Sequence, residues 1–521
     1  MNRKLSPTLL VYSLLFGIIN YSCYSIVYCW DNGISSSTMS LPYTLLIILL
    51  IALIVYLLMH ILSRLQLAAV LLEKERSGSS LSNRTFLLSF VLQSISWLLV
   101  LLVYYPGITA YDYTSQILQV TDYSSHHPLS HTLYVQFFYY ILGGRVFSGN
   151  YRLGVFIGTL IQLLVFSAMI SFSHSFIAAS GIRKPFRYLL LAYTCLFPFF
   201  SVIAISNTKD VLFTGFICVA FTCLCSILMP NIPFYSNKAI SILYICSIAG
   251  SILFRKNGMI PFLAVLALAI LLYRNKRLIK ITLVGIIIGE CLSVALSTGL
   301  HAERGSVNEA LSVPIQQLSY TYHEHSANLT KEEVETLLTI LPDIELYQPM
   351  LADPVKETAA TGNHISEFIK IYFSLGLRYP MCYVDSFLHL NGGYLCVANI
   401  RFDRTSSGLV ETTEGAYESV SPVSMIPQLY DLSEEVLAGP KLYRNIPVFR
   451  ILARPGLYFW FIMALLSFAI IKKAKVTLLP FAFLLSMIAT YLLGPCALVR
   501  YALCFIVCIP GLVATLANST T

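Results

Sequence analysis

The segment Phe86-Leu-Leu-Ser-Phe-Val-Leu-Gln-Ser-Ile-Ser-Trp-Leu-Leu-Val-Leu-Leu-Val-Tyr-Tyr105 runs directly into Pro106-Gly-Ile-Thr-Ala-Tyr-Asp112-Tyr-Thr-Ser-Gln116. Its first part carries no charge and has the length, about 20 residues, that a helix needs to cross the hydrocarbon core of a membrane. Proline and glycine end that helix. Asp112 then stands where the chain leaves the membrane, and an ionisable residue at such a place is a functional-site candidate.

The composition also indicates a membrane protein. Apolar residues make up 57% of 521 residues and charged residues 12%, and the mean hydropathy is +0.73. Such a chain does not form an ordinary soluble globule. The net charge of +8 comes from basic residues in short loops between apolar segments, as the positive-inside rule describes. Topology explains this charge, so we expect no nucleic-acid partner.

Apolar windows recur along the chain and predict an all-α polytopic membrane protein with about twelve transmembrane helices. The first window has no small-residue cleavage site and is interpreted as a permanent anchor. The windows cover residues 8–29, 41–62, 86–105, 152–174, 187–205, 211–229, 239–253, 259–273, 279–299, 455–471, 476–493 and 499–517. This count predicts that both termini are cytoplasmic. Segment 132–142 is too short to span and predicts a helix lying in the membrane interface.

The chain divides into four predicted parts. Residues 1–85 form a two-helix membrane segment, and residues 86–300 form a transmembrane core whose first loop is 106–131. Residues 301–454 form a long outer loop that we expect to cap the site, and residues 455–521 form three further spans. Within the cap, Thr330-Lys-Glu-Glu333 is a capping box that predicts a helix ending before Pro342, and an amphipathic helix is predicted after Asn363.

The predicted topology places every chemically unusual loop on one side of the membrane. Besides loop 106–131 and the cap, these are residues 206–210, 255–258 and 494–498. Polar residues collect in the loops of any membrane protein, and this explains each loop taken singly. The coincidence of several loops on one side favours an extracytoplasmic active site.

Asp112 is the candidate base. Its neighbours Tyr111 and Tyr113 predict partial burial, which raises the pKa of a carboxyl group toward the range useful for proton abstraction. The alternative is that Asp112 caps a short helix over residues 114–120, since aspartate is favoured at helix starts.

The histidines and cysteines do not have the spacing of a metal-binding site. His127 and His131 are four residues apart, but no third ligand stands nearby and the zinc signatures are absent. We therefore predict no metal and no cofactor, and expect these histidines to orient Asp112 or to bind a phosphate or sugar hydroxyl. Most cysteines lie in apolar segments as small hydrophobic residues. Cys382 and Cys396 lie in the long loop, where a disulfide between them is possible.

Basic residues at the outer ends of spans form a second constellation, made of Lys209, Arg255 and Arg500. Placing such a charge within the hydrocarbon costs roughly 2.5–3.5 kcal/mol, so each must face a polar cavity or reach the headgroups. A guanidinium group can grip a phosphate with two parallel hydrogen bonds. The sequence neighbours Asp210, Asn257 and Tyr501 belong to the same predicted substrate-binding set.

A family resemblance is carried by short motifs spread over the chain. They are Tyr105-Pro-Gly with Asp112 and Gln116, His127-Pro-Leu with His131-Thr, Lys209-Asp210, Arg255-Lys-Asn-Gly258, Pro314-Ile-Gln-Gln317 and Arg500-Tyr501. With these the chain resembles a bacterial family of polytopic membrane proteins of unknown function, similar to the GT-C glycosyltransferases. The resemblance extends from about Phe86 to the C-terminus, and the first two spans look like an addition.

This resemblance implies a GT-C-like fold whose first large extracytoplasmic loop carries the catalytic carboxylate, here Asp112. It also implies a polyprenyl-phosphate sugar donor and a cell-surface glycan, lipid or protein as acceptor. The paired acidic motif of some GT-C members is missing, so metal dependence is not indicated. The implied substrate-binding residues are Gln116, His127, His131, Lys209, Asp210, Arg255, Asn257, Gln317, Arg500 and Tyr501. A transporter or flippase of a lipid-linked saccharide, or a polysaccharide polymerase or ligase, remains an alternative.

Overall fold

The computed structural model describes residues 6–33, 40–64, 67–73, 79–109, 111–232, 234–397, 420, 423–437 and 446–520. Within these ranges the regular structure is helical and no strand forms, which confirms the all-α prediction. The longer helices are α1 (Pro7–Asp31), α2 (Leu41–Ser63), α3 (Ser79–Val103), α4 (Tyr111–Leu118), α5 (Leu129–Gln136), α6 (Tyr151–Ala179), α7 (Lys184–Leu196), α8 (Pro198–Ala204), α9 (Lys209–Leu228), α10 (Asn237–Phe254), α11 (Ile260–Leu268), α12 (Lys276–Gly299), α13 (Ser312–His325), α14 (Lys331–Ile340), α15 (Ile365–Arg378), α16 (Pro380–Leu395), α17 (Pro427–Leu437), α18 (Pro455–Ile471), α19 (Leu478–Leu492), α20 (Val499–Ile506) and α21 (Ile509–Ser519).

In the described ranges, 10 helical segments are long and apolar enough to cross a membrane, or 11 if the bent pair α7 and α8 is one span. The pair is bent by 53° next to Pro198, because proline has no N–H for the helical hydrogen bond and clashes with the preceding turn. Helix α18 is apolar but has only 17 residues. The chain is thus a multi-pass membrane protein, and the predicted count of twelve spans is not confirmed.

The basic loops gather at one end of the helix bundle. The Arg183 guanidinium donates a hydrogen bond to the Ala69 carbonyl at 2.7 Å, and the Asn518 amide donates one to the Ser180 carbonyl at 3.0 Å. Helix α21 also packs against residues 475–477. We call this the basic end; it carries the loops before α3, α7 and α12, the loop after α18 and the C-terminal residues.

The opposite end, which we call the site end, carries loop 106–131. Backbone hydrogen bonds pair it with the turn before α9: Ile108 N donates to Ile205 O at 3.0 Å, and Asn207 N donates to Ile108 O at 2.8 Å. Gly107 has a φ of +120°, and a Cβ there would lie 2.7 Å from Thr159 Oγ1, so only glycine allows this approach. The pairing aligns Asp112 with the start of α9.

The segment predicted to lie in the membrane interface forms a helical hairpin with α6. Helix α5 continues as a π-helix, Phe137–Val146, which turns back along the first turns of α6. A Cβ on Gly154 would lie 2.6 Å from Gly143 N, so the two backbones touch because both positions lack a side chain. This hairpin holds α5 against α4 at the site end.

The predicted cap forms helices with an apolar cluster of their own. Helix α14 begins with the predicted capping box of Thr330 and Glu333, and the amphipathic helix is present as α15. Buried residues Leu318, Leu337 and Leu375 belong to the cluster. The long outer loop predicted for residues 301–454 is therefore largely a helical subdomain between residues 301 and 395.

Backbone hydrogen bonds join the cap to the site end. Glu303 N donates to Tyr123 O at 2.9 Å, and Ala352 N donates to Pro495 O at 2.9 Å. No disulfide joins Cys382 to Cys396. The cap is thus attached to both the first loop and the loop before α20.

The two ends of the bundle make a prediction for labelling. Thr121 at the site end and Lys276 at the basic end are exposed. We expect Thr121→Cys and Lys276→Cys to react with a membrane-impermeant maleimide from opposite faces of sealed vesicles, with the wild-type chain as background for its own cysteines. Labelling of both variants from one face would contradict this arrangement of the helices.

Candidate functional site

Asp112 forms a short ion pair with Lys209. The Lys209 ammonium lies 2.7 Å from Asp112 Oδ2, and the two side chains are 14% and 16% exposed. Asp112 lies in the first turn of α4 and Lys209 begins α9. The backbone pairing of Ile108 with the turn before α9 brings these helix starts together. An acid in the first turn is also favoured by the helix dipole.

The pKa of Asp112 is well below its ordinary value. Burial alone would raise this pKa, but the charges of Lys209 and Arg500 and the hydrogen bond from Lys209 together outweigh it. The expectation of a raised pKa was therefore wrong. Burial could be inferred from the flanking tyrosines, whereas the lysine that opposes its effect lies 97 residues away in the chain.

His127 adjoins the ion pair as a neutral ring. It is buried, and its Nδ1 lies 3.4 Å from the Lys209 ammonium. Burial lowers the pKa of His127 to about 4, and the nearby Lys209 acts in the same direction. Because an ammonium group only donates, Nδ1 accepts this hydrogen bond, and Nε2 therefore carries the proton of the neutral ring. His127 is thus a hydrogen-bond donor beside Asp112.

Asp210 lies between two arginines at the start of α9. Its Oδ1 is 3.1 Å from Arg255 Nε and its Oδ2 is 3.5 Å from Arg500 Nε. Asp210 is only 2% exposed, and neither oxygen makes a hydrogen bond of good geometry in addition to these ion pairs. The predicted place of Asp210 in the substrate-binding set stays a prediction. The carboxylate positions the arginines.

Two tyrosines form the walls around these arginines. The Arg255 guanidinium carbon lies 4.2 Å from the centroid of the Tyr501 ring and 5.6 Å from that of Tyr491. The Arg500 guanidinium carbon lies 5.1 Å from the Tyr501 centroid. Cations over aromatic faces gain about 0.5–2 kcal/mol depending on desolvation. The role of Tyr491 could not be predicted from the sequence, because this residue lies near the end of an apolar span and belongs to no local motif.

The charges of the site leave one positive charge in excess. Three cations, Lys209, Arg255 and Arg500, face two carboxylates, Asp112 and Asp210. The residues gather from four separate segments of chain at the site end. The arrangement can bind a monoanion, because each cation already has a carboxylate neighbour and the cluster as a whole remains positive.

Gln116 and His131 lie behind the site. The His131 Nδ1 and the Gln116 Oε1 are 2.8 Å apart, and both residues are 0% exposed. Burial also lowers the pKa of His131 to about 3. Their hydrogen bond joins α4 to α5 and so supports the helix that carries Asp112. Their place in the substrate-binding set stays a prediction.

Asn257 and Gln317 have different positions. The Asn257 amide donates a hydrogen bond to Thr490 Oγ1 at 3.1 Å, next to the tyrosine wall. The Gln317 amide donates to the Tyr383 carbonyl at 3.0 Å and accepts from the Tyr372 hydroxyl at 2.8 Å. Gln317 therefore joins α13 to α15 and α16 within the cap, and its place in the substrate-binding set stays a prediction.

The side chains that the structure describes contain no group of three His, Cys, Asp or Glu residues arranged to hold a metal ion. The groups present at the site are its carboxylates, its cations and His127. A carboxylate and a neutral histidine can transfer or donate protons, and the cations can stabilise an anion.

Comparison with known proteins places the chain in a family. A family model described as "Family of unknown function (DUF6020)" matches residues 118–521, more than half of the chain, so the protein belongs to this family. No curated protein and no solved structure matches the chain. The matched region contains Lys209, Asp210, Arg255 and Arg500 and begins after Asp112.

The double role of Asp210 predicts a large loss of stability on Asp210→Asn. Removing one partner of a buried charge pair costs about 3–5 kcal/mol, because the remaining charge stays buried, and here two arginines lose their partner. We expect a clearly lower thermal unfolding temperature of the purified protein in detergent. Asp122→Asn, an exposed aspartate in the first loop, is the control; equal transitions in the two variants would contradict the role of Asp210.

Proposed function

We propose that the protein is a membrane glycosyltransferase that moves a sugar from a polyprenyl-phosphate donor to an extracytoplasmic cell-envelope acceptor, with inversion at the anomeric carbon. The observation that carries the proposal is the half-buried carboxylate of Asp112 within a cluster of side chains that has one positive charge in excess. The resemblance to GT-C enzymes supports the same class of reaction.

The excess charge fits the donor. A sugar linked to a polyprenyl chain through one phosphate is a phosphodiester, which carries one negative charge. Arg255 and Arg500 offer planar guanidinium groups suited to phosphate oxygens, and Lys209 offers an ammonium group. As the bond between the anomeric carbon and the phosphate oxygen breaks, its electron pair moves to the phosphate, and these cations stabilise the charge that develops.

The donor also changes the basicity of Asp112. In the free protein Lys209 holds the pKa of Asp112 too low for an effective base. A bound phosphate competes for Lys209, so the effect of burial on Asp112 is less opposed and its pKa rises. Asp112 then accepts the proton of the acceptor hydroxyl, whose oxygen attacks the anomeric carbon. His127 donates a hydrogen bond from Nε2 to the phosphate or to a sugar hydroxyl.

The orientation in the membrane follows from the charge of the loops. The positive-inside rule assigns loops rich in lysine and arginine to the cytoplasm. The basic end and both termini are then cytoplasmic, and the site end with its cap lies outside. A lipid-linked donor presented in the outer leaflet reaches the site from the bilayer, while the acceptor approaches beneath the cap.

A transporter or flippase of a lipid-linked saccharide is the second candidate, and one observation favours it. Polar side chains are buried in the bundle interior, where Gln93 donates to the His174 ring at 3.4 Å and to Thr194 at 3.1 Å. Transporters place polar groups near the bilayer midplane. A polymerase or ligase differs from the transferase only in the size of the group that is moved.

The test of the proposal is Asp112→Asn. Loss of a general base costs about 10²–10⁴-fold in rate, so we expect release of polyprenyl phosphate from a panel of polyprenyl-phosphate sugars to fall by at least the lower figure in proteoliposomes. Asp122→Asn is the matched control and should keep full activity. Unchanged release in Asp112→Asn would end the assignment, and movement of intact donor across the bilayer without release would support the flippase.

Lys209→Gln tests the coupling between the lysine and the base. The substitution removes the main charge that lowers the pKa of Asp112, so this pKa rises in the free enzyme. The acidic limb of the pH profile of kcat/KM should move to higher pH, and KM should increase because a phosphate contact is lost. Lys256→Gln, an exposed lysine at the same end, should leave the limb in place. An unshifted limb in Lys209→Gln would contradict Asp112 as the base.

A further inference from the structure

A crevice opens at the basic end, at the opposite end of the bundle from Asp112. It encloses about 250 Å³ between the start of α3, the end of α6 and the start of α7. Three cationic side chains line it, namely Arg84, Lys184 and Arg187. The positive-inside rule accounts for basic residues at this end, but it does not account for three of them around one cavity.

Two of these cations are available to a ligand. Arg187 Nη2 lies 3.4 Å from Glu73 Oε1, and this is a weak pair by distance. Arg84 and Lys184 are exposed and have no acidic partner among the residues that the structure describes. The crevice therefore presents an excess of positive charge to an anion, and the helix dipole of α7, which begins at Lys184, adds to it.

The remaining lining is apolar and continues onto the outer face of the bundle. Leu88, Ile177 and Leu191 line the crevice. Leu88 is 45% exposed and the neighbouring Leu189 is 67% exposed, as expected for side chains that face lipid. A cationic rim above an apolar wall is complementary to a molecule with an anionic head and a hydrocarbon tail. A free phosphate or a soluble nucleotide has no such tail and would leave the apolar wall uncovered.

The inner side of the crevice is polar. The His174 ring lines it and is otherwise buried. The Gln93 amide donates to His174 Nδ1 at 3.4 Å, and Ser89 lies 3.1 Å from the same nitrogen. Because Nδ1 accepts, the other ring nitrogen of a neutral His174 carries a hydrogen. The His174 ring thus offers a hydrogen-bond donor on the inner side of the crevice, in addition to the three cations.

We propose that this crevice binds the phosphate headgroup of an anionic phospholipid from the leaflet at the basic end. Arg84, Lys184 and Arg187 surround the phosphate, and an acyl chain lies along Leu88 and Leu191. Basic pockets between transmembrane helices are known to bind anionic headgroups in this way. The site does not include any residue proposed for catalysis, so it stands independently of the proposed function.

The test uses purified full-length protein in neutral detergent and measures lipid retention by native mass spectrometry. Phosphatidylglycerol should bind the wild type more tightly than phosphatidylcholine. Each basic residue near a headgroup contributes about 1 kcal/mol, so Arg84→Gln/Lys184→Gln should weaken phosphatidylglycerol binding about 30-fold. Lys276→Gln/Lys280→Gln, exposed at the same end outside the crevice, is the matched control and should bind as the wild type does.

Three outcomes would overturn the proposal. They are equal retention of phosphatidylcholine and phosphatidylglycerol by the wild type, an unchanged affinity in the double variant, and displacement of phosphatidylglycerol by inorganic phosphate at equal concentration, which would identify a site for free anions. Lys184→Glu at a single exposed position provides a second variant if the double variant does not fold; retention of the lipid by a folded Lys184→Glu would also contradict the site.

Discussion

The structure depends on one constraint, which is that charges at the rim of an apolar helix bundle must be paired. Two consecutive residues in one helix turn, Lys209 and Asp210, provide most of this pairing. The lysine pairs with Asp112 on the first loop, and the aspartate pairs with Arg255 and Arg500 from two other segments. Each of these loops is held at the site end partly because an unpaired buried charge would cost several kcal/mol.

Pairing and function place opposite demands on the same groups. A carboxylate held by Lys209 is stable in the free protein but is a poor base, and arginines held by Asp210 are stable but only partly free to bind a phosphate. In the proposed reaction an anionic donor would relieve both conditions, since it would supply negative charge to the cations and leave Asp112 less neutralised. On this proposal the substrate controls the chemistry, because reactivity would develop only when the donor phosphate has entered.

The two ends of the bundle use cations in different ways. At the site end they are half-buried, paired with carboxylates and packed against Tyr491 and Tyr501, so that they form a defined cluster. At the basic end they lie on the rim of a crevice whose walls are open to lipid. Desolvation strengthens the electrostatic interactions of the first set, whereas the second set is proposed to bind a lipid headgroup.

Much of the fold was predictable from local sequence. Runs of apolar residues require helices, since lipid cannot satisfy backbone hydrogen bonds, and each predicted span is helical, although the span over 187–205 is divided into two helices. The capping box at Thr330 was likewise readable, because its hydrogen bonds join residues three apart. The count of twelve is not confirmed, because helix α18 is near the length threshold and the segment with the bend at Pro198 counts as a span only if both of its helices are taken together.

The sequence by itself therefore determined the class of protein, the helices and the residue types of the site, because hydropathy, capping and charge act over a few neighbouring positions. Only the tertiary structure decided how these residues combine. It placed His131 behind the site and Gln317 in the cap, made Asp210 a partner of two arginines, and reversed the expected pKa shift of Asp112. Each of these outcomes depends on contacts between residues far apart in the chain, and electrostatic effects follow distance in space rather than separation in sequence.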